Sequence, residues 1–317
     1  MIFNCDCIEG SKRHLWDGVC DLLICDPPFG ISETSFGKHY NRNEDLVLDG
    51  YVEAPKDYYQ FSYDWLSEAY RVLRPDGSMY IISGWSNLKD VLNAVDEVGF
   101  HTINHLIWKF NFGVATKKKY VTSHYHVLYL KKSRRANPVF NTNCRFGSQE
   151  RNDKGSLIYQ DLEDVFVINK EYQPKSIKNK NKLPDALVEK LILYSSNEKD
   201  VVGDFFLGNF TTAFVAKGLG RVPIGFEENP ESYDYHIDNL NQAESGSRLK
   251  ELKPVVNITP DNQGKKITPQ EIESILSDYK DKSLEKWTQK KIHAFLGDKY
   301  GRGRFSIKNI LDKHGYL

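Results

Sequence analysis

Along residues 1–242 the apolar positions switch repeatedly between short continuous runs and a three-to-four spacing, the pattern of strands alternating with helices. Val19-Cys20-Asp21-Leu22-Leu23-Ile24-Cys25 predicts a buried strand, closed by Asp26-Pro27-Pro28-Phe29-Gly30. Cys5 and Cys7, two apart, are expected on one face of an earlier strand. Residues 32–54 are polar and aperiodic and predict a long loop. Phe61, Leu66, Ala69, Tyr70 and Leu73 predict a helix over 57–73, followed by a turn at Pro75-Asp76-Gly77 and a strand over 78–82. Leu88, Val91, Leu92, Val95 and Val98 mark a helix that Gly99 stops. Residues 103–110 and 125–130 predict two strands joined by a loop carrying Lys117, Lys118 and Lys119.

After an irregular stretch over 134–176, Pro184 takes the first position of a helix that runs to Tyr194. A strand over 201–206, a turn at 208–210, a helix over 211–219 and a strand over 222–227 follow. Asn229-Pro230 caps the next helix. Such alternation predicts an α/β fold, a doubly wound and mostly parallel sheet covered on both faces. Ligands in such sheets lie beyond the carboxyl ends of strands, which singles out Asp26 to Phe29 and Asp204 to Thr212.

The pattern changes after Gln242. Residues 243–264 are polar with Gly and Pro and predict a linker. Thr268-Pro269-Gln270-Glu271 is a capping box opening a helix with Ile272, Ile275, Leu276 and Tyr279 on one face. Leu284, Trp287, Ile292, Phe295 and Leu296 predict a second helix, Gly301-Arg302-Gly303-Arg304 a basic turn, and Ser306 the cap of a third. The expected organisation is a catalytic domain over 1–242, a linker over 243–264 and a small helical domain over 265–317. That small domain suits either DNA binding or simple packing.

Composition changes this picture little: 40% hydrophobic and 27% charged residues describe an ordinary globular chain, with no apolar run of membrane-spanning length. A polar N-terminus without a signal peptide predicts the cytoplasm. Four of the five cysteines lie in the first 25 residues, but C-x-C and C-x4-C spacings do not match common zinc knuckles. They are expected as reduced core residues, with no metal. Net charge is zero, yet residues 108–135 hold eight Lys/Arg and no acid, and residues 250–317 hold 14 Lys/Arg against nine acids. Such asymmetry suits one basic face turned to nucleic acid, or a patchy surface without function.

The chemistry concentrates at Asp26-Pro27-Pro28-Phe29. Residues preceding proline are held extended, and the two prolines carry no N–H. An Asp carboxylate and a Pro carbonyl therefore stand side by side as acceptors, matched to the two N–H donors of an exocyclic amino group. Phe29 offers a flat surface to a base, and stacking of roughly 1–3 kcal/mol is of the size needed to offset base extrusion.

At these residues the chain resembles the amino-methyltransferases of DNA, in the permuted order that places the D-P-P-[YF] motif first and the cofactor motif late. The resemblance covers about residues 1–242. It runs through Asp21 to Phe29, Arg71 to Ser78, Ile107-Trp108-Lys109 and Leu187 to Val201. Asp204-Phe205-Phe206-Leu207-Gly208-Asn209-Phe210-Thr211-Thr212 is similar to the family's D-P-F-x-G-S-G-T-T loop, and Ile224-Gly225-Phe226-Glu227 to its I-G-x-E. Phe205, Asn209 and Phe210 stand where the family usually has Pro, Ser and Gly, and Phe210 is expected to crowd the approach of a ligand.

The resemblance implies a Rossmann-like methyltransferase fold and S-adenosylmethionine as cofactor. It also implies N6 of adenine in double-stranded DNA as the target, reached by base flipping. Catalysis falls to Asp26, Pro27, Pro28 and Phe29. Cofactor contacts fall to Asp6, Cys7, Asp204, Phe205, Phe206, Gly208, Asn209, Thr211, Thr212 and Glu227, and to Lys182 near Pro184. Lys117, Lys118 and Lys119 are expected at phosphates. Arg134, Arg135, Arg145 and Arg151 in the target-recognition insert over 134–176 are expected at bases or phosphates, and Arg302 and Arg304 in the helical domain at DNA. A cognate restriction endonuclease and a homodimer are further implied partners, with no membrane. The alternatives are methylation of cytosine N4, an RNA amino-methyltransferase, and a cofactor-blind DNA-binding subunit.

Overall fold

The computed structural model describes residues 1–28, 56–111, 113, 117–118, 120–146, 159–171, 182–250, 252, 262 and 264–316. Phe29, Lys119, Arg151, the expected loop over 32–54 and parts of the insert lie outside them. The chain divides into two compact units, one of Met1–Phe146 with Asn152–Val255, the other chiefly Val256–Leu317.

The large unit is built on an eight-stranded sheet. Its strands are β1 (Ile2–Phe3), β2 (Cys20–Cys25), β3 (Leu73–Ser83), β4 (His101–Lys109), β5 (His124–Lys131), β6 (Val165–Val167), β7 (Val201–Asp204) and β8 (Val222–Phe226). They lie in the order β1-β8-β7-β2-β3-β5-β4-β6, with β5 antiparallel to both β3 and β4 and the other pairs parallel. From the β7–β2 junction the chain winds outward both ways, β2 to β3 on one side and β7 to β8 on the other. That junction is the switch point where α/β sheets open a crevice.

The helices are α1 (Cys7–His14), α2 (Tyr58–Val72), α3 (Leu88–Val98), α4 (Asp185–Ser195), α5 (Thr211–Gly218) and α6 (Pro230–Gln242). Alternate residues of the central strands feed two cores. Leu23, Cys25, Met79 and Ile81 pack with Trp65, Leu66, Ala69, Val91 and Val95 of α2 and α3. Leu22, Ile24, Tyr80 and Ile82 pack on the other face with Leu187, Val188, Leu191 and Val215 of α4 and α5. A near-continuous apolar run in β2 is what burial on both faces requires. Asp57 caps α2 by accepting from Gln60 N–H at 3.0 Å, and Gly99 ends α3 with a left-handed φ of 96°.

Four local expectations give way to the structure. Cys5 and Cys7 share no strand: Asp6 accepts the N–H groups of Ile8 and Glu9, each at 2.9 Å, and starts α1 at Cys7. Pro75-Asp76-Gly77 is not a turn but part of extended β3, where the register jumps from Cys20 opposite Leu73 to Leu22 opposite Ser78. The irregular insert supplies β6, which is three residues long and too short for periodicity to show. Pro184 stands one place before α4, at its N-cap.

The small unit holds α7 (Pro269–Leu284), α8 (Gln289–Lys299) and α9 (Arg304–Lys313) around Ile275, Tyr279, Ile292, Leu296, Ile307 and Leu311. Thr268 caps α7 as its capping box predicts, accepting from Glu271 N–H at 3.2 Å. Gly303, not Ser306, holds the N-cap of α9, and Leu284 ends α7 exposed to solvent.

Candidate functional site

Three adjacent parallel strands each end in a carboxylate: Glu227 after β8, Asp204 closing β7 and Asp26 after β2. The two stretches singled out in the sequence thus become neighbours, through the pairing of Leu22 with Val202 and Leu23 with Gly203. Asp26 is half-buried, and its Oδ1, shielded from water, has no hydrogen-bond partner among the described residues. Burial, then the charge of Asp204, pushes its carboxyl well above the usual range. Burial likewise raises Asp204 to about 7, against the hydrogen bond that Phe206 N–H donates to Oδ1 at 2.9 Å. Glu227 is also raised by burial, while its Oε1 accepts Asn229 N–H at 2.9 Å. Clustered, raised carboxyls in a crevice mark a site that expects donors or positive charge from a ligand. Gly225 permits the closeness of β7 and β8, since a Cβ there would stand 2.5 Å from the Asp204 carbonyl oxygen.

A wall the sequence did not reveal closes the β4–β5 side. Phe110 and Tyr125 lie 5.2 Å apart between ring centroids, and Trp108 packs on both. The Lys170 ammonium sits 4.4 Å from the Phe110 ring centre and 4.7 Å from that of Tyr125. Burial lowers its proton affinity and the charge of Asp26 raises it, so the two groups interact electrostatically. Lys170 follows β6 inside the aperiodic insert, where no sequence pattern distinguishes it from the other lysines over 170–182.

In the loop between β7 and α5, Phe205 packs into the core against Phe226 and Trp65, and Phe206 packs edge-on to Trp65. Phe210 does not crowd the loop. It takes a left-handed φ of 57°, and its ring is fully buried beneath α6 against Leu207, Ala213 and Leu240. Thr211 opens α5 with a buried hydroxyl that lacks a partner among the described residues. Gly208 and Asn209 are partly exposed beside it. We expect Phe210→Gly to relieve about 1–2 kcal/mol of backbone strain and to lose about 3–5 kcal/mol of packing. Chemical denaturation should show a net loss of about 2–3 kcal/mol, and a variant more stable than wild type would contradict this account of the loop.

The remaining cofactor candidates are tied into the fold. Asp6 caps α1, Cys7 is buried in the core, and Lys182 pairs with Glu171 at 3.1 Å and Asp185 at 2.9 Å. Among the DNA candidates, Lys117 and Lys118 are exposed on the loop after β4, at the same sheet edge as Asp26. Arg134 and Arg135 differ: β5 runs antiparallel to β3, so they emerge at the opposite edge. Arg145 is held by Asp161 at 2.9 Å and by Glu189 at 3.7 Å. Arg302 is buried, donating to both oxygens of Glu271 at 2.7 and 2.9 Å and to the Lys265 carbonyl at 2.7 Å. These four arginines carry a DNA contact poorly on position or pairing, which sequence spacing cannot reveal.

An open, mostly parallel sheet with convergent carboxylates at its switch point defines an α/β enzyme of the nucleotide-binding type. The chain belongs to the DNA methylase family of N6 and N4 type, whose profile matches residues 20–238. It is 29% identical over 246 residues to the Type II methyltransferase M.HpaI of Haemophilus parainfluenzae, covering 74% of this chain and 73% of that protein. It is 28% identical over 273 residues to the DNA adenine methyltransferase YhdJ of Escherichia coli, covering 80% and 87%. Among solved structures, the M1.HpyAVI–SAM complex superposes with a TM-score of 0.53 at 22% identity, over 76% of this chain and 98% of that one. The cytosine-N4-specific PvuII DNA methyltransferase superposes with a TM-score of 0.56 at 15% identity, over 80% and 93%. These likenesses establish the fold. Among the described residues no helix is long and apolar enough to cross a membrane.

Proposed function

We propose that the protein transfers a methyl group from S-adenosylmethionine to N6 of adenine within a specific site of double-stranded DNA, the target base being turned out of the duplex. The observation that carries this reading is Asp26: a carboxyl with a shielded oxygen that has no partner among the described residues, next to Pro27, at the switch point beside Asp204 and Glu227. Asp26 and the Pro27 carbonyl accept the two N–H bonds of the amino group. That favours a tetrahedral nitrogen whose lone pair is free to take a methyl group, and the Asp26 carboxylate is placed to take the proton that the nitrogen must then lose. A base stacked in a duplex does not reach so shielded an acceptor, which is the argument for extrusion. Phe110 and Tyr125 offer aromatic surface to the base from the far wall.

When bound, S-adenosylmethionine supplies a methyl group activated on a sulfonium. The chain fits such a ligand. Glu227 offers acceptors for ribose hydroxyls, and the start of α5 offers N–H groups and the unpaired Thr211 hydroxyl to a carboxylate. The turning of Phe210 away from the loop supports an enzyme over a cofactor-blind subunit. Lys117 and Lys118 are proposed at phosphates. A cognate endonuclease, a homodimer and a cytoplasmic location belong to the same proposal and rest on the resemblance.

Incubation with labelled S-adenosylmethionine and mixed genomic DNA, followed by nucleoside mass spectrometry, tests the reading. N6-methyladenine is expected. N4-methylcytosine would keep the mechanism and replace the base. Neither product, together with no cofactor binding, would leave the DNA-binding subunit.

A further inference from the structure

The small helical unit segregates its charges. Several basic side chains on it have partners: Lys282 pairs with Glu285, Lys299 with Asp278 and Arg302 with Glu271, while Lys291 lies 3.7 Å from the Trp287 ring centre. One groove of about 290 Å³ gathers unpaired cations from two helices, lined by Gln289, Lys290 and His293 of α8 and by Arg304 and Lys308 of α9. None of Lys290, Arg304 and Lys308 has an ion pair among the described residues, although acids lie on the same two helices at Asp298 and Asp312. His293 Nε2 is shielded from water and also without a partner. Holding like charges together in this way is unfavourable until an anion joins them.

Two further observations point to the same ligand. Gly303 caps α9 without a side-chain acceptor, so the N–H groups of the first turn of α9 add partial positive charge beside Arg304. Phe305, the next residue, is 77% exposed on a helix whose other apolar residues, Ile307, Ile310 and Leu311, face the core. The turn between α8 and α9 is tight. Arg302 N–H donates to the Gly297 carbonyl at 2.8 Å, and a Cβ on Gly297 would come within 2.9 Å of the Arg302 carbonyl oxygen.

We infer that the groove between α8 and α9 is a second DNA contact, in which Lys290, Arg304 and Lys308 hold backbone phosphates of the duplex and α9 presents Phe305 and its polar face to the DNA. This rests on the reading that the protein acts on double-stranded DNA. Phosphate contacts of this kind position a duplex without reading its sequence. Arg302, the most obvious basic residue of the turn, takes no part: it staples α7, the 262–266 segment and the turn together.

The test uses the full chain and a mixed-sequence duplex, with binding followed by fluorescence anisotropy over a range of KCl. For the triple variant Lys290→Gln, Arg304→Gln, Lys308→Gln, the slope of log affinity against log salt should become shallower by about two, with affinity at low salt reduced about tenfold or more. Lys280→Gln with Lys282→Gln, on α7, should leave the slope unchanged, and the triple variant should melt no earlier than wild type. An unchanged slope in the triple variant, with wild type binding normally, overturns the groove alone. A loss confined to an RNA oligonucleotide of equal length overturns it in favour of RNA. Wild type that binds no duplex at any salt overturns the duplex reading itself and this assignment with it.

Discussion

Replacing Asp26 by alanine is expected to abolish methyl transfer, by roughly 10³-fold or more, while the protein melts no earlier than wild type. A single acceptor or donor aimed at the reacting group commonly contributes 10²–10³-fold, and Asp26 is one of only two acceptors proposed for the amino nitrogen. The stability expectation runs the other way. Asp26 has a shielded oxygen without a partner among the described residues and a carboxyl held far from its usual range, so the native state tolerates it at a cost and truncation removes that cost. Asp26→Asn keeps one carbonyl acceptor and should retain more activity than alanine. Turnover by labelled methyl transfer, with a melting curve on the same samples, checks both halves. Substantial activity in the alanine variant would falsify the mechanism. A large drop in melting temperature would instead show that Asp26 serves the fold.

Glu227→Ala is expected to weaken S-adenosylmethionine binding by roughly 10–100-fold while leaving duplex affinity nearly unchanged. Hydrogen bonds to a charged acceptor contribute about 1.5–3 kcal/mol, and Glu227 offers its carboxylate at the end of β8. Isothermal titration with cofactor and anisotropy with DNA separate the two effects, and unchanged cofactor affinity removes Glu227 from the site. The same titrations carry a pH dependence. Asp204 titrates at about 7 and Glu227 is raised above its usual value, and donors from a ligand favour their ionised forms. Cofactor affinity should therefore rise with pH up to and through 7, then level off.

The fold was readable wherever one signal was strong. The run from Leu22 to Cys25, the heptad-like spacing of α3 before Gly99, and the caps at Asn229 and Thr268 each state an element and its end. Weak or competing signals explain the misses. Residues 7–14 contain Gly10, Ser11 and three basic side chains, so α1 shows no apolar stripe and only its Asp6 cap announces it. Pro75-Asp76-Gly77 carries local turn chemistry, but pairing of β3 with β2 and β5 holds it extended. The site divides the same way. Asp26, Asp204 and Glu227 were found by motif, whereas Lys170 becomes visible only when β6 lays its chain beside β4. Arg302 and Arg145 looked like ligands for phosphate because charge is visible in sequence and its partners, Glu271 and Asp161, are not.

The β2–β7 junction also sets a schedule. Asp21 Oδ2 receives the N–H of Val201 at 2.7 Å across 180 positions of chain. During synthesis β2 can pair with β3 soon after both emerge, yet its other edge waits for β7, a delay on the order of 10–35 s at ordinary translation rates. Through that interval a mostly apolar strand edge is open to mispairing, and Asp26 has no neighbouring Asp204. On the proposed roles, activity is therefore a property of the late-arriving segment: the nascent chain carries Asp26 almost from the start and acquires Asp204 and Glu227 only when residues 201–227 arrive.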